Sequence, residues 1–122
     1  MSKFDPNIPI YLQIINTIKQ QIVSGELKPG DRFVSVREMA ENLSVNPNTV
    51  QRAYQELERE GVSETRRGMG SFIVEREDLI SELKSEMARK IMENFIEGMR
   101  ALGFSDTAMQ ETLEHEISGG TE

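Results

Sequence analysis

A run of short polar side chains, at the start of one predicted helix, has the most specific chemistry in the sequence. Asn46-Pro47-Asn48-Thr49 joins a helix-capping asparagine to a proline suited to the first helical position, and Gln51 and Arg52 follow within the next turn. Amide side chains pair with adenine, and a helix N-terminus offers free N–H groups to phosphate. These residues suit a helix whose first turns lie in a DNA groove, although the same run is also an ordinary helix start.

Arginines at two further places fit the same chemistry. Arg37 lies in the first turn of the preceding predicted helix, and Arg66-Arg67-Gly68-Met69-Gly70 forms the tip of a predicted hairpin. Arginine pairs bidentately with guanine and fits a narrow minor groove, while the glycines let the backbone come close. Each motif alone is also typical of a soluble helix or hairpin. Their order and spacing favour DNA binding.

Periodicity and capping residues predict the elements that position these side chains. Helices are expected at about residues 9–24, from the Ser35 cap to residues 42–44, from Pro47 to the Gly61 stop, and at 78–102 and 106–117. Two strands are expected at Val62–Thr65 and Ser71–Val74, and a very short one at Arg32–Val34. Two short helices with a tight turn, followed by a hairpin, make a winged helix. We therefore expect a mainly α fold with a small β-wing.

The C-terminal third is expected to form a separate part of the molecule. The expected domains are a winged helix-turn-helix over residues 1–77 and a two-helix dimerisation segment over residues 78–122. Two helices do not enclose a ligand cavity of ~300 Å³ by themselves, so their apolar face needs a partner. A second copy of the chain is the favoured partner, and cover within the monomer is the alternative. The expected dimerisation residues are Ile80, Leu83, Met87, Ile91, Met92, Phe95, Ile96 and Met99.

Apolar residues of the first and last helices are expected to face the core. The first helix has isoleucines at helical spacing, and the last helix has three apolar residues on one face. The residues expected inside are Ile10, Ile14, Ile15, Ile18 and Ile22 in the first helix, and Met109, Leu113 and Ile117 in the last.

Composition excludes several classes of function. The 122 residues contain no cysteine and a single histidine, His115, which argues against disulfide scaffolds, metal centres and a Ser-His-Asp triad. No paired nucleophile and base and no phosphate-binding loop occur, so we expect neither an enzyme nor a cofactor. No run of about 18 apolar residues exists to span a bilayer, and no signal core follows Met1, so a cytoplasmic protein without a membrane partner is expected.

The net charge of −7 is concentrated in the C-terminal third of the chain. Residues 1–77 hold 10 basic and 11 acidic residues, whereas residues 78–122 hold 4 and 10. Residues 45–70 balance four arginines against four glutamates, which is weak for a protein that binds DNA only through its phosphates. We therefore expect base contacts and dimer geometry to supply the specificity.

Residues 8–74 resemble the DNA-binding domain of the GntR family of bacterial transcription regulators. The matching runs are Pro9–Ile14, Ser24–Asp31, Ser35–Ala40, Asn46–Tyr54, Leu57–Gly61 and Arg67–Val74. The Asn-Pro-Asn-Thr-Val run followed by Ala-Tyr, with the short C-terminal part, resembles the YtrA subfamily. The sequence departs from the family pattern at Val34, where proline is usual, and at Ser63, where an aliphatic residue is usual.

The resemblance implies a homodimer on a short inverted repeat, with DNA contacts from Arg37, the helix from Asn46 to Arg52, and the wing residues Arg67 and Gly68. It also implies an operon for an ABC transporter as a target. We expect a sequence-specific regulator, and a repressor in particular. In the expected assignment Arg37, Asn48, Gln51 and Arg67 read bases, and Asn46, Thr49, Arg52 and Gly68 position the backbone. Arg66 is expected in the minor groove and Pro47 at the helix start.

Two other readings stay open at this point. A winged helix also serves as a protein-interaction module without DNA readout. A small effector, of unknown identity, in a dimer groove near Met92 and Phe95 is compatible with DNA binding, since methionine-rich surfaces adapt to ligands as well as filling cores.

Overall fold

The computed structural model describes residues 4–119, which form five helices and one hairpin. The elements are α1 (Ile10–Ser24), α2 (Val36–Leu43), α3 (Pro47–Arg59), β1 (Ser63–Arg66), β2 (Gly70–Ile73), α4 (Leu79–Ala101) and α5 (Asp106–Ile117). The expected mainly α fold with a β-wing is confirmed. The chain divides into two compact units, one ending at Leu83 and the other beginning at Lys84.

Side-chain caps fix where three of the helices begin. The Ser35 hydroxyl accepts a hydrogen bond from the Glu38 N–H at 3.0 Å, and the Asn46 side chain accepts one from the Asn48 N–H at 2.7 Å. Ser105 caps α5 in the same way, through the Ala108 N–H at 3.1 Å. Each bond satisfies a donor that the first helical turn leaves free. Ser35 and Asn46 are the caps expected from the sequence, and of the two residues predicted to cap the last helix, Ser105 and Asp106, Ser105 is the cap.

The start of α1 differs from the expectation. Pro9 has an extended backbone (φ −53°, ψ 136°) and precedes the helix, which begins at Ile10. Ile10 was expected in the core but is 37% exposed, whereas Ile14, Ile15, Ile18 and Ile22 are buried as expected. The first turn of α1 therefore lies at the edge of the core, where its side chains are available for other contacts.

The core of the first unit lies between α1, α2, α3 and the hairpin. Phe33 and Tyr54 pack edge to face with ring centroids 5.2 Å apart, and the Tyr54 hydroxyl donates to the Val34 carbonyl at 2.8 Å. Burial, followed by the charge of Glu38, raises the pKa of Tyr54 to about 12. Leu79 and Leu83 of α4 are also buried in this core, at 0% and 4% exposure.

The wing is a two-stranded antiparallel hairpin. Ser63 pairs with Ile73 and Arg66 with Gly70, so the strands span one residue later and one residue earlier than expected, respectively. The predicted strand at Arg32–Val34 is reduced to a single bridge between Arg32 and Phe72. Hydrogen bonds from the Phe33 N–H to the Ser71 carbonyl and from the Ile73 N–H to the Asp31 carbonyl, both 2.8 Å, still hold that segment along β2.

The second unit is built differently, because two helices cannot surround a core. Met109 is the one buried residue among its described residues. Leu113 and Ile117 were expected to face inward, but they are 42% and 77% exposed. The helices instead leave an open groove of about 290 Å³, lined mainly by apolar side chains of Met92, Phe95, Ile96, Met109 and Leu113, with Arg100, Asp106 and Gln110 beside them.

Between residues 4 and 119, no helix has the length and apolar character needed to cross a membrane.

Candidate nucleic-acid interface

The first two turns of α3 present polar side chains to solvent. Asn48, Gln51 and Arg52 are exposed, and Thr49 is half-buried. Asn46 and Pro47, which begin the helix, are exposed as well. The opposite face of α3 carries its buried residues, Val50, Ala53, Tyr54 and Leu57. Because this apolar face fixes α3 against the core, the polar face and the free N–H groups of the helix start are held outward together.

Arg52 is held by a residue that the sequence analysis did not single out. Its guanidinium lies over the Tyr11 ring, 3.9 Å from the ring centroid. Its Nη2 donates a hydrogen bond to the Tyr11 hydroxyl at 3.2 Å. Tyr11 belongs to the first turn of α1 and packs against the core of the first unit. The two residues are 41 positions apart, so no local pattern indicates the pair.

A shallow groove runs between the starts of α1 and α3. It has a volume of about 410 Å³ and is lined by Ile10, Tyr11, Asn48, Thr49 and Arg52. Three of these five residues are among those expected to contact DNA. The structure thus brings Asn48, Thr49 and Arg52 together on one side of a groove, with α1 forming the other side.

Arg37 stands on α2, the helix that packs against α3. It is exposed, and within residues 4–119 its guanidinium has no ion pair, hydrogen bond or stacking partner. All its N–H groups are therefore available for a planar, bidentate contact such as the one that guanine offers.

The two wing arginines differ from each other. Arg66 lies in β1 rather than at the tip; its guanidinium stacks on the Phe72 ring at 4.1 Å and forms an ion pair with Glu64 at 3.0 Å. Arg67 lies at the tip, is exposed, and has no partner in the described part of the chain. Gly68 follows with φ +74° and open space around it, a conformation that favours glycine. The tip thus offers one unpaired cation on a backbone that can approach a surface closely.

Each of the four glutamates in residues 45–70 has an ion-pair or hydrogen-bond partner within the chain. Glu56 pairs with Arg59, Glu64 with Arg66, and Glu60 with Lys19 at 2.7 Å. Glu58 accepts a hydrogen bond from the Thr65 hydroxyl at 3.0 Å. The hydrogen bond from Arg59 lowers the pKa of Glu56 below its ordinary value. Three of these carboxylates thus pair with basic side chains, and of the arginines expected to contact DNA, Arg37 and Arg67 have no ion pair, hydrogen bond or stacking partner among residues 4–119.

The residues expected to mediate dimerisation all lie on α4, and all but one of them have exposed or half-buried side chains. Ile80, Ile91 and Met92 are exposed, at 37%, 68% and 56%, and Met87, Phe95, Ile96 and Met99 are half-buried. Leu83 is the exception, because it is 4% exposed in the core of the first unit and cannot also face a second copy. Leu102, which is 75% exposed, adds an apolar side chain near the end of the same helix.

Comparison with known proteins gives a consistent result. The family model described as "Bacterial regulatory proteins, gntR family" matches residues 10–73. A relative from Bacillus subtilis (strain 168), the "Uncharacterized HTH-type transcriptional regulator YhcF", is 45% identical over 119 residues, covering 98% of each chain. The "HTH-type transcriptional repressor YtrA" of the same organism is 38% identical over 126 residues, covering 98% of this chain and 97% of the relative.

One solved structure is similar to this chain over a length that includes residues of both units. The structure titled "GntR family transcriptional regulator from Listeria monocytogenes" has a TM-score of 0.82 and 40% sequence identity. The match covers 91% of this chain and 97% of that chain. The similarity therefore extends beyond the winged helix into the C-terminal helices.

Proposed function

The chain belongs to the GntR family of bacterial regulatory proteins, and we propose that it represses transcription as a homodimer that recognises a short inverted repeat in DNA. GntR-family regulators bind DNA, and the relatives found for this chain are named as transcriptional regulators or repressors. The repressor, the dimer and the inverted repeat are the parts of this proposal that go beyond family membership.

One observation carries the DNA-binding site: two arginines without partners lie in the same unit as an outward-facing helix start. Arg37 on α2 and Arg67 at the wing tip have no partner among residues 4–119, and the polar face of α3 belongs to the same unit. Arginines that are neither paired nor stacked still have all their hydrogen-bond donors available. Their exposure beside carboxylates of Glu56, Glu60 and Glu64 that already pair with other basic side chains supports a role in binding an anionic partner.

We assign roles to these residues by their chemistry. Arg37, Asn48, Gln51 and Arg67 contact base edges, because guanidinium and amide groups read guanine and adenine. Asn46, Thr49, Arg52 and Gly68 contact the backbone, together with the N–H groups at the start of α3 around Pro47. Arg66 supports the wing through Phe72 and Glu64, so its contribution to DNA binding is smaller than that of Arg67.

The apolar surface of the second unit supports the homodimer. Ile91 and Leu102 are more than two-thirds exposed, and Met109 is the one buried residue among the described part of this unit. A pair of helices gains its stability mainly from packing an apolar face, so this unit needs a further surface. A second copy supplies a matching face by symmetry, and it also places two recognition helices for the two halves of an inverted repeat.

The proposed target is an operon for an ABC transporter. This part rests on the likeness to the YtrA subfamily, including the 38% identity to the repressor YtrA. Locating the selected DNA site upstream of transporter genes in the source genome, and measuring their transcription in a deletion strain, tests it. A rise in transcript on deletion supports repression, whereas a fall identifies an activator.

Selection of binding sites from random duplex DNA by the purified protein tests the DNA reading. We expect enrichment of one inverted repeat, bound by two chains per duplex. Arg37→Ala and Arg67→Ala should each reduce affinity for it by about tenfold, since a good base contact contributes about 1–3 kcal/mol. Arg59→Ala is the matched control, because Arg59 is an exposed arginine of α3 that pairs with Glu56.

A folded, dimeric sample that enriches no sequence contradicts the proposal and favours the protein-interaction role of a winged helix. Equal losses of affinity for Arg59→Ala and Arg67→Ala would show binding by charge alone, without readout of the sequence.

A further inference from the structure

The contact between Tyr11 and Arg52 joins two helices at the rim of the proposed DNA surface. The guanidinium of Arg52 lies 3.9 Å from the Tyr11 ring centroid, and its Nη2 donates to the Tyr11 hydroxyl at 3.2 Å. Both residues line the groove between α1 and α3, together with Asn48 and Thr49. The contact is therefore part of the same surface that carries the predicted DNA contacts, although Tyr11 belongs to another element.

A stacked guanidinium loses much of the freedom of a long arginine side chain. Arginine gives up considerable rotamer entropy when it becomes fixed, and a ring below its plane fixes it in advance. One of its five N–H groups is used by the Tyr11 hydroxyl, and the remaining donors stay available. These donors can bind a phosphate in a bidentate manner while the ring contact is retained.

The ring itself is well placed to act as a support. Tyr11 is half-buried and packs against the core of the first unit, whereas Arg52 is exposed. Because the ring is anchored on α1, it fixes the position of the exposed guanidinium that α3 carries. Arg59, on the same helix but paired with Glu56, is held by a neighbour within α3 instead.

We propose that Tyr11 is a positioning residue for DNA binding: it holds the Arg52 guanidinium at the mouth of the α1–α3 groove, where Arg52 meets a backbone phosphate. The inference rests on the proposed DNA-binding function and adds a residue of α1 to it. Tyr11 acts through Arg52, so the loss of Tyr11 matters to DNA only while Arg52 is present.

A double-mutant cycle on the full chain tests the inference, with the selected inverted-repeat duplex as the probe. Arg52→Ala should weaken binding by about tenfold and lower the salt dependence of binding by about one phosphate contact per subunit. Tyr11→Leu should weaken binding by about fivefold, the range of a cation–π contact in a partly desolvated place. Tyr11→Phe, which keeps the ring, should lose about twofold. In the Arg52→Ala background, both Tyr11 substitutions should have no further effect.

Controls separate positioning from folding. Thermal unfolding of each variant reports on the packing of Tyr11, and Tyr11→Phe retains that packing if Tyr11→Leu does not. Additive losses in the double variants overturn the inference, because they show that Tyr11 acts independently of Arg52. Wild-type affinity for Tyr11→Leu also overturns it, while leaving the proposed function intact. Wild-type affinity for Arg52→Ala overturns it as well and removes Arg52 from the proposed backbone contacts, but not the sequence-specific DNA binding. Failure of the wild-type protein to select any duplex contradicts the proposed function itself, and with it the inference about Tyr11.

Discussion

The two units of the chain reach order in different ways. The first unit buries fourteen apolar residues from its helices and hairpin, among them Ile22, Leu57 and Ile73 at 0% exposure. In the described part of the second unit only Met109 is buried, and Ile91, Leu102 and Ile117 are 68%, 75% and 77% exposed. The first unit has a core of its own, whereas the second has an apolar surface that a core would normally cover.

This difference is consistent with different proposed roles for the two units, DNA binding for the first and association for the second. A rigid core holds the cap residues, Tyr11 and the wing in fixed positions, which the proposed base readout requires. An apolar helical surface gains its stability from association, and this surface is the one that we propose to join two copies of the chain. Variants that act on one unit and spare the other test this division.

The largest expected effect comes from the core of the first unit. Ile22→Ala should lower the free energy of unfolding by about 3–4 kcal/mol, because it removes buried methylene groups and leaves a cavity. Ile117→Ala is the matched substitution in the second unit, and it should change stability by less than about 0.5 kcal/mol. Denaturant unfolding monitored by circular dichroism measures both. A cost for Ile117→Ala near that of Ile22→Ala would show that Ile117 is buried in solution.

The next effect concerns the second unit and association. Ile91→Asp places a charge on the exposed apolar face of α4, so it should dissociate the proposed dimer. Operator affinity should then fall by about a hundredfold, because the two DNA-binding units no longer bind the two half-sites together. Sedimentation and DNA-binding titrations measure the two quantities.

Ser85→Asp is the control for Ile91→Asp, since it adds the same charge to an exposed position of α4 that is not among the expected dimerisation residues. Unfolding of the first unit should be unchanged in both variants. A monomeric Ile91→Asp protein that keeps full operator affinity contradicts the proposed dimeric readout.

A smaller effect is expected from alkaline pH on the first unit. Burial raises the pKa of Tyr54 to about 12, above its ordinary value of 10.0. The folded protein thus holds the Tyr54 proton more tightly than the unfolded chain does. Its contribution is fully present below pH 10.0 and is lost as the pH rises toward 12, costing about 1–2 kcal/mol after allowance for partial exposure.

Tyr54→Phe sharpens that measurement, because phenylalanine keeps the contact with Phe33 but has no proton to release. Its unfolding free energy should fall by about 1 kcal/mol at neutral pH, from the lost hydrogen bond to the Val34 carbonyl. Between pH 10.0 and 12 the variant should lose less stability than the wild type. Parallel curves for the two proteins would mean that Tyr54 does not titrate in this range.

The smallest effects belong to two exposed ion pairs, one in each unit. Arg59 pairs with Glu56 in the first unit, and Arg100 with Asp106 at 3.2 Å in the second. Replacing either arginine by alanine should leave the free energy of unfolding nearly unchanged, because exposed pairs contribute little. The free energy of unfolding is measured at a protein concentration above the dissociation constant of the proposed dimer. A clearly larger loss for Arg100→Ala than for Arg59→Ala would show that association buries the Arg100–Asp106 ion pair.

Local sequence determined most of the elements and the helix start that presents the proposed site. Ser35, Asn46 and Ser105 cap the helices that their positions predict, because a cap is a contact between residues two or three apart. The same range of contact fixes the helix-turn-helix and the start of the recognition helix. For this reason the fold class and the outward face of α3 followed from the sequence.

Contacts between distant segments decided what the pattern left open. Periodicity places Leu83 on one stripe with Met87 and Ile91, but the first unit's core buries it. The predicted strand at Arg32–Val34 became a single bridge between Arg32 and Phe72, beside which the Val34 carbonyl accepts from the Tyr54 hydroxyl. A stripe of apolar residues shows that a helix is covered on one side, and it does not tell which surface covers it.

The contact partners of the arginines at the proposed site were likewise decided by contacts between distant segments. The sequence placed Arg37, Arg52, Arg66 and Arg67 near a DNA surface, but their partners were not evident from it. Tertiary structure stacks Arg52 on Tyr11 and Arg66 on Phe72, and it leaves Arg37 and Arg67 unpaired within residues 4–119. Short-range hydrogen bonds and residue spacing determined where the helices and the wing begin. Packing between segments far apart in sequence decided which side chains are held and which are left to bind.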